Sequence, residues 1–190
     1  MPNIKPIKYL TQDELKRLLG VIVSRRDKAI FLTAYRHGLR ASEVGMIKLE
    51  DVDIQRGRIR IARLKNSLSG EYPMQPDEIK AIKAWTKQRK DTNPWLFPSR
   101  RGTPVSRFTL DKLMKFYGRK AGLPADKRHF HVLKHSIATH LRDANADVGF
   151  VRDWIGHRNI QNTMVYANMS NPERDNKAKS LFASPMIVGG

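Results

Sequence analysis

The stretch His131-Val132-Leu133-Lys134-His135-Ser136-Ile137-Ala138-Thr139-His140-Leu141 decides how the last third of this chain folds and what chemistry it offers. Leu133, Ile137 and Leu141 recur every four residues, which predicts a helix from about His131 to Asp143 with that row in the core. His131 and Lys134 then fall on a different face. Further on, Asp147 is placed to cap a helix carrying Val148, Val151 and Ile155, and Gly156 ends it, leaving His157 at the helix terminus. Tyr166 follows His157 by nine residues. A tyrosine hydroxyl ionises only near pKa ~10, so as a nucleophile it needs neighbouring cations and proton carriers, the residue types this stretch supplies. Asn171 before Pro172 opens a last helix toward Phe182. The apolar Met186-Ile187-Val188, between Pro185 and Gly189, is expected to dock on a neighbouring subunit, with a frayed end as the plain alternative.

Upstream, Thr11-Gln12-Asp13-Glu14 reads as a capping box before Leu15, Leu18 and Leu19. Ala29 through Tyr35 is apolar nearly all round and predicts a buried helix that Gly38 stops in a left-handed conformation. Arg40 comes directly after that stop, and Ser42 and Glu43 open a second short helix. From Val52 to Met74 the period shortens: Val52-Asp53-Ile54, Arg58-Ile59-Arg60-Ile61 and Glu71-Tyr72-Pro73-Met74 alternate or flank turns at Gly57 and Gly70. Two hairpins forming a small three-stranded antiparallel sheet are expected, with Lys65 at the tip of the second. Pro76 starts a helix through Ile79, Ile82 and Trp85, and Ser106 caps one through Leu110, Leu113, Met114 and Tyr117 that ends at Gly122.

Lys and Arg number 36 against 18 Asp and Glu, a formal charge of +18 on 190 residues. A polyanion is the expected partner, and nucleic acid fits best because each phosphate neutralised releases counterions. No apolar run approaches the ~20 residues of a spanning helix, no secretory leader is read at the N-terminus, and a membrane surface is not expected as a partner. The chain has no cysteine, which rules out disulfides and thiolate metal sites. A cytoplasmic, nucleoid-associated location is the expectation. The length suits one domain, and 40% hydrophobic residues argue against disorder.

Singly, these residues have ordinary explanations. Arg40 reads as a surface charge, Tyr166 as packing near a helix end, and Glu43 equally as a helix-start charge. His131 and His135 have the i, i+4 spacing of a zinc helix, but the Glu that follows the first His in zinc hydrolases is missing and Lys134 would repel a cation. No metal and no cofactor are expected. Taken together and in order, Gly38-Leu39-Arg40-Ala41-Ser42-Glu43, Lys65, His131-Val132-Leu133-Lys134-His135, Ile155-Gly156-His157 and Tyr166 resemble the tyrosine recombinase (phage integrase) family. The resemblance runs from about Thr11 to Leu181. Tyr35-Arg36-His37-Gly38-Leu39-Arg40, Arg63-Leu64-Lys65-Asn66 and Gly156-His157-Arg158-Asn159-Ile160 look most like the small fimbrial phase-variation invertases.

That resemblance implies a mainly α fold with the three-stranded sheet on one edge, a catalytic domain over residues 1–182, a short tail over 183–190, and no N-terminal core-binding domain. It implies that Tyr166 attacks a DNA phosphate to give a 3′-phosphotyrosine, without metal or ATP, while Arg40 and Lys134 stabilise the phosphate charge. Lys65 would protonate the leaving 5′ oxygen, His131 would help move the tyrosine proton, His157 would hydrogen-bond the phosphate, and Glu43 would orient a basic side chain. The partners implied are double-stranded DNA, a homotetramer on two DNA sites, and an accessory DNA-bending protein. A bacterial, phage or other mobile-element role in DNA recombination follows, with DNA integration, excision and inversion left open. The chain departs from the family at Lys134, where Arg is usual. Losing one charge-assisted hydrogen bond, ~1.5–3 kcal/mol, would slow cleavage roughly ten- to a hundredfold. Two alternatives remain: a DNA-binding accessory factor with a weakened site, and a type IB topoisomerase-like nicking and closing enzyme.

Overall fold

Thr11 opens the first helix through reciprocal bonds: its hydroxyl accepts from the Glu14 N–H at 3.2 Å, and the Glu14 carboxylate accepts from the Thr11 N–H at 2.8 Å. This starts α1 (Gln12–Gly20) in a computed structural model that describes residues 7–64, 67–159 and 161–165. Ser24 caps α2 (Arg25–Arg36), the helix around which the others assemble. Its Ala29, Ile30, Phe31 and Ala34 are fully buried, in keeping with a segment apolar on nearly every side. Phe31 meets Tyr117 and Phe130 edge to face, with centroids 5.8 and 5.6 Å apart. Truncating such a ring to alanine costs about 3–5 kcal/mol.

Gly38 leaves α2 at φ +56°, the left-handed stop that its sequence predicts. The next helix, α3 (Ala41–Met46), begins earlier than expected: Arg40 itself is the N-cap residue, because the Glu43 carboxylate turns back to its N–H. Gly45 in α3 is needed for close approach, since a Cβ there would lie 2.6 Å from the Val105 carbonyl oxygen.

The sheet is β1 (Val52–Asp53), β2 (Arg58–Ile61) and β3 (Gly70–Pro73), antiparallel in the order β1-β2-β3 with Ile59 opposite Val52 and Tyr72. Both β2 isoleucines are buried on its inner face. Pro76 occupies the first turn of α4 (Pro76–Gln88), which packs along α2. The buried His37 donates from Nε2 to both oxygens of Glu78, at 2.9 and 3.0 Å, and fastens the end of α2 to the start of α4. The chain between α4 and α5 (Arg107–Lys120) forms two isolated bridges, Lys48 with Trp95 and Pro98 with Pro104, which no sequence pattern predicted.

Ser106 caps α5 as expected. Helix α6 (Val132–Asp143) starts after His131 and packs on α2. It is buried on more sides than the Leu133, Ile137 and Leu141 row required: Val132, Lys134, Ser136 and Ala138 are also buried. Asp147 caps α7 (Val148–Trp154), Gly156 follows at φ +69°, and a short α8 (Gln161–Met164) comes next. The helix expected from Asn171 and the apolar tail lie outside the described residues. Among the described residues, no helix is long and apolar enough to cross a membrane.

Candidate active site

Three turns meet at one place: the α2–α3 turn through Gly38, the β2–β3 loop, and the α7–α8 turn through Gly156. Arg40, at the end of the first, is about a quarter exposed and donates to Glu43 Oε1 at 2.7 Å and to the Ser67 hydroxyl at 3.1 Å. Glu43 is fully buried. Burial alone would raise its pKa, but hydrogen bonds from the Arg40 backbone and side chain, with the charges of Arg63 and Lys134, outweigh burial and hold it below the usual carboxylate range. It is an anion paired with the Arg40 and Arg63 guanidiniums, and it also accepts from the Leu64 N–H at 3.3 Å.

Lys134 does not stand on an open face. It is 1% exposed, and its ammonium donates to the Gly38 carbonyl at 3.0 Å and to the Ile155 carbonyl at 2.6 Å. Burial, then the charges of Arg63 and Arg40, push its pKa down to about 7. His131 sits at the N-terminus of α6, its ring edge-on to that of His135 with centroids 4.6 Å apart. Its pKa is lowered by desolvation first, then by His135, Lys134 and Arg40. His157, just past Gly156, pairs through Nδ1 with the Thr163 hydroxyl at 3.1 Å. Burial and then Lys134, Arg40 and Arg63 bring its pKa down to about 4. Lys65 and Tyr166 lie outside the described residues.

One residue of this cluster had no role assigned from sequence. The Arg63 side chain is fully buried and donates to the carbonyls of His37 (2.8 Å), Gly38 (3.1 Å) and Trp154 (3.0 Å) and to Glu43 Oε2 (3.3 Å). The signal was the period of β2: Ile59, Ile61 and Arg63 share one face, so an arginine stands where a third apolar residue would be expected. Among the described residues no group of three or more His, Cys, Asp or Glu is placed to hold a metal ion. His140, on the same helix, donates from Nε2 to the Leu10 carbonyl, which leaves Nδ1 to accept the Tyr35 hydroxyl, both at 2.8 Å.

A second basic surface lies apart from these three turns. An open groove of about 760 Å³ is lined by Arg26, Arg100, Arg101, Phe108, Lys112 and Phe116 among others. Phe108 is 68% and Phe116 51% exposed, each under a lysine ammonium, Lys112 at 4.3 Å and Lys120 at 4.8 Å from the ring centroids.

Residues 8–173 match the phage integrase family model. The chain belongs to that family, the tyrosine recombinases. It is 35% identical over 168 residues to the type 1 fimbriae regulatory protein FimE of Escherichia coli K12, covering 84% of each chain. It is 31% identical over 186 residues to the tyrosine recombinase XerA of Pyrococcus horikoshii, covering 96% of this chain and 64% of that one. Among solved structures, a XerA recombinase superposes with a TM-score of 0.78 at 25% identity over 98% of this chain and 67% of that chain. A XerH site-specific recombinase bound to difH substrate shares the fold, with a TM-score of 0.78 at 22% identity over 94% of this chain and 55% of that chain. The mainly helical fold with a small sheet and the family resemblance are thus as expected. This phage integrase family member is a tyrosine-type site-specific recombinase.

Proposed function

We propose that the chain cleaves and rejoins double-stranded DNA through a 3′-phosphotyrosine on Tyr166. The observation that carries this is the convergence of Arg40, Arg63 and Lys134 around one buried carboxylate, Glu43. The cations outnumber their anion, and after burial their excess positive charge further lowers the pKa of His131 and His157 beside them. Such a pocket favours a bound phosphate and the further negative charge of a pentavalent phosphoryl transition state.

In the proposed step the Tyr166 oxygen bonds to phosphorus as the bond to the 5′ oxygen breaks. His131, held neutral at pH 7, accepts the tyrosine proton, and Lys65 gives a proton to the leaving oxygen. Arg40 binds a non-bridging oxygen with the guanidinium face that Glu43 leaves free, and His157 donates a further hydrogen bond. Lys134 contributes its charge and the third N–H of its ammonium. Because the phosphotyrosyl bond conserves the energy of the diester, a 5′-hydroxyl reverses the step, and side-chain cations fill the role a metal or nucleotide would otherwise take. The exposed α5 groove gathers the DNA, its arginines and Lys112 displacing counterions from the phosphates, with Phe108 beside the Lys112 ammonium. Recombination requires paired cuts on two sites, so a homotetramer forms on DNA, with an accessory DNA-bending protein aiding synapsis, in the cytoplasm of a bacterial host. Residues 1–182 make up the catalytic domain and 183–190 its tail.

A second reading has one observation in its favour. The Lys134 ammonium is turned to two backbone carbonyls, which suits a DNA-binding accessory factor with a weakened site. The test is incubation of the protein and a Tyr166→Phe variant with nicked duplex from around its own gene, followed by a denaturing gel. A covalent protein–DNA band that vanishes with Tyr166→Phe supports cleavage. No band from protein that binds the same DNA supports the accessory reading, and relaxation of any supercoiled plasmid without two sites supports the topoisomerase-like one.

A further inference from the structure

The geometry points to Arg63 as a positioning residue for cleavage, a buried guanidinium that locks the turn bearing Arg40 to the turn bearing His157. The inference rests on the strand-cleavage reading above. The acceptors of Arg63 are the grounds for it. The His37 and Gly38 carbonyls lie just before Arg40, Glu43 is the carboxylate that holds Arg40, and the Trp154 carbonyl lies three residues before His157. The Gly38 carbonyl is shared with Lys134, so Arg63 also fixes the oxygen on which that ammonium rests.

The loop that follows Arg63 closes on the same turn. The Leu68 N–H donates to the Gly156 carbonyl at 3.2 Å, and the Arg63 N–H donates to the Ser69 hydroxyl at 2.9 Å. Arg63 Nε is buried with no hydrogen-bond partner among the described residues and packs so close to Gly156 that a Cβ there would come within 2.8 Å of it. Gly156 is thus required twice, by its left-handed backbone and by the guanidinium against it. Taking an arginine fully out of water carries a large desolvation penalty, and apolar residues of similar volume often hold a core as well or better. Arg63 brings what apolar packing cannot: a planar fork of donors that sets the relative placement of three backbone segments. Catalytic groups displaced by about 1 Å lose roughly a hundredfold in rate.

The experiment compares full-length wild type with Arg63→Lys and Arg63→Met in three measurements: nicked-duplex binding, single-turnover covalent cleavage at saturating DNA, and amide hydrogen exchange. Arg63→Lys keeps the charge but cannot span the carbonyls. It is expected to bind DNA within about threefold of wild type while cleaving on the order of a hundredfold more slowly, with faster exchange at the Leu68 N–H. In Arg63→Met one of the two charges that, after burial, lower the Lys134 pKa is gone, so the alkaline limb of the cleavage profile moves to higher pH. Cleavage by Arg63→Lys that matches wild type, or falls only in step with binding, overturns the inference. So does an alkaline limb in Arg63→Met that stays where wild type has it. If wild type itself forms no covalent band, the cleavage reading fails instead, and exchange still decides Arg63: unchanged protection at Leu68 in Arg63→Lys overturns its role in fixing the turns. Arg63→Lys carries the test if Arg63→Met does not fold.

Discussion

The two basic surfaces of this molecule use positive charge in opposite ways. At the three turns, Arg63 and Lys134 are buried and bonded to carbonyls, and Arg40 is held by Glu43. In the α5 groove, Arg100, Arg101 and Lys112 are exposed, and Phe108 and Phe116 lie open beside them. An exposed cation keeps its hydration and its freedom, so it attracts a phosphate backbone from a distance and is screened by salt. A buried cation has lost both, and what it provides is a fixed location and a strong local field. On the proposed function, binding and chemistry are divided between the two surfaces, and substitutions in each should fail in different measurements.

The largest effect that separates them is expected from Arg40→Gln. Removing one preorganised donor at a charge-developing site costs about 10²–10³ in rate, so single-turnover cleavage should drop by that order while DNA affinity stays within a fewfold. An Arg40→Gln protein that cleaves normally once DNA is saturating would place Arg40 in the binding class and break the division. Next comes Glu43→Gln, which leaves two buried or half-buried guanidiniums without their anion. Breaking such a buried pair destabilises by about 3–5 kcal/mol, so the melting temperature should fall together with cleavage. A variant as stable as wild type would show that Glu43 is not the organising charge.

The groove is expected to answer to salt. Replacing Arg100, Arg101 and Lys112 with Gln together should flatten the slope of log K against log salt by up to about 3, each lost phosphate contact removing about 0.9. An unchanged slope would move DNA to another face.

Smaller effects sharpen the picture through pH. Lys134, with its pKa brought down to about 7, loses its charge as pH rises through that value in the free protein. Cleavage that uses the ammonium should therefore weaken on the alkaline side. Lys134→Arg, charged at any accessible pH, should cleave at least as well as wild type at pH 7 and roughly tenfold better than it near pH 8. A Lys134→Arg protein that cannot cleave would show that the pocket is built around the ammonium. His157 adds a stability effect. Its folded pKa of about 4 lies below the usual His value of 6.5, so between those values the unfolded chain binds more protons and stability rises with pH. The contribution is complete above pH 6.5 and is lost as pH falls through about 4. His157→Asn should flatten that acid limb in denaturant titrations, and an unaltered limb would assign it to other groups.

The sequence already carried the local devices: the capping box at Thr11, the left-handed stops at Gly38 and Gly156, the Asp147 cap, and the alternation that makes the three strands. These are legible because each is decided within a few residues. Contacts across the chain were not. The His37–Glu78 pair joins residues 41 apart, and nothing local at either position announces the other. The full burial of Lys134 depended on how many neighbours surround α6, which a four-residue period cannot tell. The site residues Arg40, Glu43, His131, Lys134 and His157 were named through an ordered set of motifs, and the structure brings Arg40, Glu43 and Lys134 together at the Gly38 turn. Arg63 was in view within its motif, but its role became visible only once the three carbonyls it binds were placed around it.

The measurement that tests the division most directly is covalent cleavage of nicked duplex, at DNA concentrations that saturate each protein, by wild type, Arg40→Gln and the groove variant lacking Arg100, Arg101 and Lys112. The account predicts that the groove variant recovers the wild-type rate once saturated while Arg40→Gln remains slower by about two orders of magnitude. A groove variant that stays slow at saturation, or an Arg40→Gln protein rescued by more DNA, would contradict it.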